Sequence, residues 1–273
     1  MKECIIEYSL GRTTALLICV LGVLVSVSSC DSDRVNAGGI GKLRLSLSAD
    51  TTSLNKGVNS PTKASVSDEF EKFLTTGDYK IRIVQGSDTV LSYDRFDGMP
   101  SEIELKEGAY SMIAYKGDNL PSAFENPYFE GNSDFTVKAD MSTPIDVTCT
   151  LGNARVTVDY TEDFKKIYSS YTALLKTSFT STDMKITKEE TRPAYFQVAK
   201  DGSELKLTLL LTKVGETKEI KFSVPTAIPL ERRQSVRLIF KTDGTSNGLG
   251  LDIWLDDELN EQPLWEDIPG YME

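Results

Sequence analysis

Ile103-Glu104-Leu105-Lys106-Glu107-Gly108-Ala109-Tyr110-Ser111-Met112-Ile113-Ala114-Tyr115 decides the fold class. Ile103 and Leu105 alternate with charged residues, Glu107-Gly108 turns the chain, and a β-branched and aromatic run follows. A period of two puts successive side chains on opposite faces of a strand, so this reads as two strands joined by a tight turn. The pattern recurs in both directions. Upstream, Leu43, Leu45 and Leu47 alternate with Lys42, Arg44, Ser46 and Ser48, and Tyr79, Ile81 and Ile83 precede a Gly86-Ser87-Asp88 turn into Thr89–Tyr93. Downstream, Phe135-Thr136-Val137 leads to Ile145–Leu151. A strand about every ten residues, separated by turn residues, predicts an all-β sandwich and not a helical or α/β fold.

A second set of strands begins at Ala154–Tyr160 and continues through Met184–Thr187, Tyr195–Val198, Leu205–Leu211, Ile220–Val224, Ser235–Lys241 and Leu249–Leu255. The layout of strand, excursion, then strands therefore occurs twice. It predicts two tandem β-sandwich domains, residues 41–152 and 153–273, with the boundary near Gly152-Asn153. One or two short helices are expected in the excursions. One lies near Ser67–Leu74. The other spans Glu162–Leu174, where Phe164, Ile167, Tyr168 and Tyr171 share a helical face and Thr161 stands at the cap position. Pro225 and Pro229 mark an edge or a connection, because proline donates no ladder hydrogen bond. Ala49–Val66 is rich in Ser, Thr and Asn without periodicity and reads as a long exposed loop.

The first thirty residues have a different logic. Lys2 and Arg12 precede an apolar run, Ala15–Val27, which is shorter than the ~20 residues a spanning helix needs. Small residues and Cys30 follow. That order is a secretory leader. Val27-Ser28-Ser29-Cys30 resembles the lipobox of bacterial lipoproteins. The resemblance implies a signal peptide over 1–29, recognition by its peptidase through Val27, Ser28 and Ser29, and diacylglycerol and acyl lipid (palmitate-type chains) on Cys30. Residues 30–40 are polar and Gly-containing and read as a flexible tether. Two or three acyl chains anchor a protein stably without spanning the bilayer.

Composition narrows the function classes. Lys2, Arg12, Glu3 and Glu7 leave with the leader, so the mature chain keeps the net charge of −11. That lacks the basic footprint of a nucleic-acid binder. Of four cysteines, Cys4 and Cys19 leave with the leader and Cys30 takes lipid, so only Cys149 remains and no intramolecular disulfide can form. Cys149 sits in the alternating run Ile145–Leu151 and reads as a buried structural residue. The chain has no histidine. That removes the commonest general base, the usual zinc ligand and every Ser-His or Cys-His pair. Chemistry by carboxylates alone stays formally open, but no motif points to an enzyme, and neither cofactor nor metal is expected. Past Lys241 the chain is strongly acidic, without the spacing of a calcium loop.

The lipobox, GKLRLSLSAD (41–50), EGAYSMIAYKGD (107–118), ENPYFEGNSDFTV (125–137) and IDVTCTLGNARVTVDYTEDF (145–164), taken in order, resemble an uncharacterised group of Bacteroidetes lipoproteins allied to the fimbrillins. The resemblance implies two β-sandwich domains of Greek-key, transthyretin-like topology. It also implies an outer-membrane lipoprotein, lipid-anchored and exposed on the cell surface, that serves adhesion or pilus assembly with other pilus subunits as partners. In fimbrillins a trypsin-like protease removes the first strand, and a strand of the next subunit fills the groove. Here the exchanged strand would be 42–49, with Leu43, Leu45 and Leu47 as the groove-filling side chains. Lys56 and Lys63 are the processing candidates, since the loop after the strand holds no arginine. The alternative is a glycan-binding surface lipoprotein that stacks sugars on Trp254, Trp265, Tyr110, Tyr115, Tyr128 or Tyr271; the core reading of each of those aromatics competes with it.

Overall fold

The computed structural model describes residues 38–51, 66–242, 248–255, 258–260 and 266–267. The expected signal peptide, with Val27, Ser28 and Ser29, and the expected lipidation residue Cys30 lie outside the described residues, as do Lys56, Lys63, Trp265 and Tyr271. Residues from Gly38 onward form one compact unit. Among the described residues the fold is all-β with two short α-helices and a 3-10 turn at Phe96–Gly98.

The first half runs β1 (Ile40–Ala49), α1 (Val66–Leu74), β2 (Lys80–Gln85), β3 (Asp88–Tyr93), β4 (Ile103–Lys106), β5 (Gly108–Lys116), β6 (Ser122–Phe124), β7 (Phe129–Val137) and β8 (Ser142–Leu151). Except for β6, these strands form one seven-stranded sheet in the order β3-β2-β5-β7-β8-β1-β4. β8 meets β7 only through Phe129–Leu151 and Glu130–Thr150, so the sheet bends there and curls over itself. Ile81 and Ile83 from one end then share a core with Leu43, Ile103 and Leu105 from the other. Gly86 takes a positive φ of 62° in the β2–β3 turn, a backbone state that suits glycine.

The second half runs β9 (Asn153–Tyr160), α2 (Glu162–Ile167), β10 (Tyr168–Lys176), β11 (Met184–Thr187), β12 (Ala194–Gln197), β13 (Ser203–Lys213), β14 (Glu219–Ser223), β15 (Ile228–Leu230), β16 (Ser235–Thr242), β17 (Gly248–Leu255), β18 (Glu258–Asn260) and β19 (Glu266–Asp267). One sheet has the order β11-β10-β13-β14, and β15 pairs with β13. The other has the order β18-β17-β16-β9-β12-β6. Leu207, Leu209 and Leu211 of the first sheet and Val156, Leu238 and Phe240 of the second belong to one buried core. Burying each such side chain contributes about 1.5–3 kcal/mol.

The helix expected over Glu162–Leu174 ends at Ile167, and Tyr168–Lys176 is a strand. Thr161 does cap the helix, its hydroxyl accepting from the Phe164 N–H at 3.3 Å. The periodicity misleads because β10 carries a bulge between Tyr168 and Ser170. The extra residue leaves both Ser169 and Ser170 exposed, so the buried Tyr168 and Tyr171 stand three apart, as on a helix. From Tyr171 onward the burial alternates through Ala173 and Leu175.

The two cores are joined without a linker. Gly152 alone separates β8 from β9. β6, from the first half, pairs with β12 in the second core's sheet, and Tyr195 of β12 is buried in the first core. Four arginines of the second half reach carboxylates of the first, one of them Arg192, which meets Glu125 at 3.7 Å. Arg155 holds Glu69 of α1 at 3.0 Å, Arg232 pairs with Glu130 of β7, and Arg233 pairs with Asp50, the residue after β1. Asn153 accepts from the Tyr128 N–H at 3.4 Å and donates to the Asn126 carbonyl at 3.3 Å.

Candidate assembly strand

The stretch Gly41–Ala49 forms a strand because small or apolar residues alternate with polar ones and no proline interrupts them. β1 lies parallel to β8, in register from Lys42–Ser142 to Ala49–Cys149. This pairing sets Leu45 beside Ile145, Leu47 beside Val147 and Ala49 beside Cys149 on the inner face. Leu43 is fully buried, whereas Leu45 and Leu47 are half-buried against the same core. The outer face is polar and exposed, and Ser48 and Thr148 share a hydroxyl hydrogen bond of 3.0 Å. The opposite edge of β1 meets β4 only from Ile40–Lys106 to Leu43–Ile103.

Both ends of the strand are fastened. At its start, Glu107 donates its N–H to the Gly39 carbonyl at 2.7 Å, and Lys42 donates to the Met141 carbonyl at 2.8 Å. Gly41 is required there, since a Cβ would stand 2.2 Å from the Lys138 carbonyl oxygen. Glu102, just ahead of β4, accepts from Lys42 Nζ at 2.8 Å and from Arg44 Nε at 2.9 Å. These two hydrogen bonds, Lys42 first, hold its carboxyl down at about 2. At its end, the Asp50 N–H donates to the Cys149 carbonyl at 2.9 Å, and the Asp50 side chain meets Arg233.

The remaining candidates sort by burial. Cys149 is fully buried, and burial pushes its thiol up to about 12, which removes it from thiolate chemistry at neutral pH. Tyr110 is buried and stacks on Phe135 at 5.7 Å, its hydroxyl donating to the Lys106 carbonyl at 2.9 Å. Tyr128 is buried and donates to Glu130 at 2.8 Å. Tyr115 is half-buried, with the Arg82 guanidinium over its ring at 5.5 Å, and Trp254 is also half-buried. Of these four, Tyr115 and Tyr128 meet ring to ring at 6.3 Å with planes tilted by 47°. Among the described residues no cluster of three or more His, Cys, Asp or Glu is placed to hold a metal ion, and no helix is long and apolar enough to cross a membrane.

The residues that sequence reasoning missed are Asp50, Glu69, Glu130, Arg155, Tyr195, Arg232 and Arg233. Their partners lie far apart in the chain, 183 positions in the case of Asp50 and Arg233. The adjacent pair Arg232-Arg233 in a turn was the only local signal.

No curated protein matches the chain. Among solved structures, a fimbrial assembly protein from Parabacteroides distasonis is 10% identical, with 82% of this chain and 98% of that chain covered and a TM-score of 0.43. A candidate polysaccharide-binding protein from Bacteroides thetaiotaomicron is 8% identical, with coverage of 82% and 99% and a TM-score of 0.46. A candidate cell adhesion protein from Bacteroides eggerthii is 10% identical, with coverage of 80% and 96% and a TM-score of 0.41. The family described as Domain of unknown function (DUF4493) matches residues 39–270, nearly the whole compact unit, and the chain belongs to that family.

Proposed function

We propose that this chain is a non-catalytic lipoprotein, exported to the outer-membrane surface with acylated Cys30, that acts in adhesion or pilus assembly by strand exchange once cleavage in the 49–66 loop separates it from that tether. The observation that carries the reading is the setting of β1. It is a one-faced strand whose inner side chains fill a groove beside β8, and whose outer edge is paired to β4 for only four residues. Its sequence neighbour is the 49–66 loop, with Lys56 and Lys63 as processing candidates. Removing β1 would expose Ile145, Val147 and Cys149 along a parallel edge that a strand of the same alternation fits. The glycan-binding alternative finds less support, because Tyr110 and Tyr128 are core residues.

The N-terminus of the protein on cells, read by intact mass and peptide sequencing, tests this. A terminus between Ala49 and Val66 without lipid makes strand exchange the working mechanism. An acylated Cys30 on every molecule places the protein as an anchor or free surface binder and ends the polymerising-subunit reading. An unacylated terminus at Met1 refutes the lipoprotein assignment.

A further inference from the structure

We infer that the second lobe grips both flanks of the segment linking β1 to α1, and that the upstream grip, Arg233 on Asp50, governs how readily β1 leaves its sheet. The inference deepens the strand-exchange reading by naming a residue that controls release. Its primary measurement does not depend on that reading.

The downstream grip is the stronger. Glu69 of α1 accepts from Arg155 Nε at 3.0 Å and from the Tyr195 hydroxyl. Tyr195 is buried, and the Arg155 and Glu69 side chains are only 15% and 23% exposed. Phe70 and Phe73, on the same helix, are buried in the first core, and Phe73 stacks on Phe129 at 4.6 Å. A carboxylate held by two poorly solvated donors, next to two buried aromatic rings, keeps α1 in place even when the chain ahead of it is cut.

The upstream grip is lighter and differently built. Arg233 lies in the turn between β15 and β16 with φ at +66°, a state uncommon for a residue other than glycine. Its N–H donates to the Asn153 carbonyl at 3.2 Å, which fixes the turn at the junction of the lobes. From there Arg232 reaches Glu130 of β7, and Arg233 reaches Asp50 at the end of β1. The Arg233 and Asp50 side chains are about a third exposed, at 34% and 31%. Ala49 and Leu47, the nearest inner residues of β1, are themselves half-buried. A break between the two grips therefore leaves α1 seated and β1 held by its two ladders and by Arg233, and Arg233 sets how easily the downstream end of β1 lifts.

Hydrogen exchange of the full chain, followed by mass spectrometry on peptides covering 40–50 and 66–74, tests the inference. Arg233→Gly removes the side chain yet tolerates the positive φ, and Asp50→Asn removes the charge from the other partner. Each should speed exchange of Arg44–Asp50 by about five- to tenfold, with no further gain in the double variant and no change in 66–74. Glu69→Gln should do the reverse, speeding 66–74 and sparing 40–50. Unchanged exchange of β1 in both single variants overturns the inference. So does acceleration spread equally over β13 and the rest of the fold, which would make Arg233 a general stabiliser. Nicking the chain with a lysine-specific protease, and asking whether a second copy replaces β1, separately tests strand exchange. Faster release in Arg233→Gly without replacement would uphold the grip and end the exchange reading.

Discussion

β1 and β9 hold corresponding places. Each is the first strand of its lobe, and each lies parallel beside a late strand, β1 on β8 and β9 on β16. Each also meets an antiparallel neighbour over four residue pairs. The likeness ends at their faces and their connections. Ala154 and Val156 of β9 are fully buried on one face, while Arg155 on the other reaches α1 of the first lobe. β9 is joined to β8 by one glycine and to α2 by the capping Thr161. β1 buries one face only, presents Lys42, Arg44, Ser46 and Ser48 to water, and leads into the 49–66 loop. One topology thus yields one strand enclosed on both faces and another with one face in water. What separates them is burial on the second face and the tightness of the flanking chain.

The largest effect should come from removing each strand. A chain beginning at Val66 should lose the cooperative unfolding transition of the first core and keep that of the second, and a peptide of residues 38–51 added in trans should restore it. Deleting 153–160 should abolish both transitions, with no rescue by peptide. Two-probe denaturant unfolding reads this, and an intact first transition without β1 would break the contrast. Within β1, Leu43→Ala should cost about 2–5 kcal/mol, whereas Leu47→Ala should cost about 1 kcal/mol because its site is open to solvent on one side. Equal shifts in the denaturation midpoint at unchanged slope would mean that the downstream half of β1 is as well packed as the upstream half. Gly41→Val should cost about 1–3 kcal/mol, since the Lys138 carbonyl must move to admit a side chain. A neutral Gly41→Val would place the tight end of the strand elsewhere.

The smallest effect concerns acid. The carboxyl of Glu102 is held at about 2 against an ordinary 4.5, so its stabilising contribution is complete above about 4.5 and fades as pH falls through about 2. Glu102→Gln should flatten the decline in the first lobe's stability across that window and leave stability at neutral pH nearly unchanged, as expected of an exposed ion cluster. An unchanged acid slope would show that Lys42 and Arg44 do not fasten β1 to β4 through this carboxylate.

Much of the strand order was legible because burial on one face writes a period of two into the sequence. Leu43, Leu45, Leu47 and the run Ile145–Leu151 carry that period and lie in strands, β1 and β8. The period fails where the ladder is irregular. At Ser169 a single extra residue converts strand spacing into helix spacing, and four aromatic or apolar positions then imitate a helical face. Short strands such as β6 leave no period at all. The junction was illegible for another reason. Glu69, Tyr195 and Arg155 come together from three distant elements, and each alone looks like an ordinary surface or core residue of its own element. Local sequence records which face a side chain takes, not which remote partner it meets there.

Gly152 has a mechanical consequence. With one residue between β8 and β9, the chain offers no slack at the junction, and Arg155, Arg232 and Arg233 brace it from three directions. A pull applied to one lobe is therefore passed to the other as shear across ion pairs and strand edges acting in parallel, before any backbone can uncoil. Such a joint transmits torque and tension like a keyed shaft, stiff until several contacts fail together.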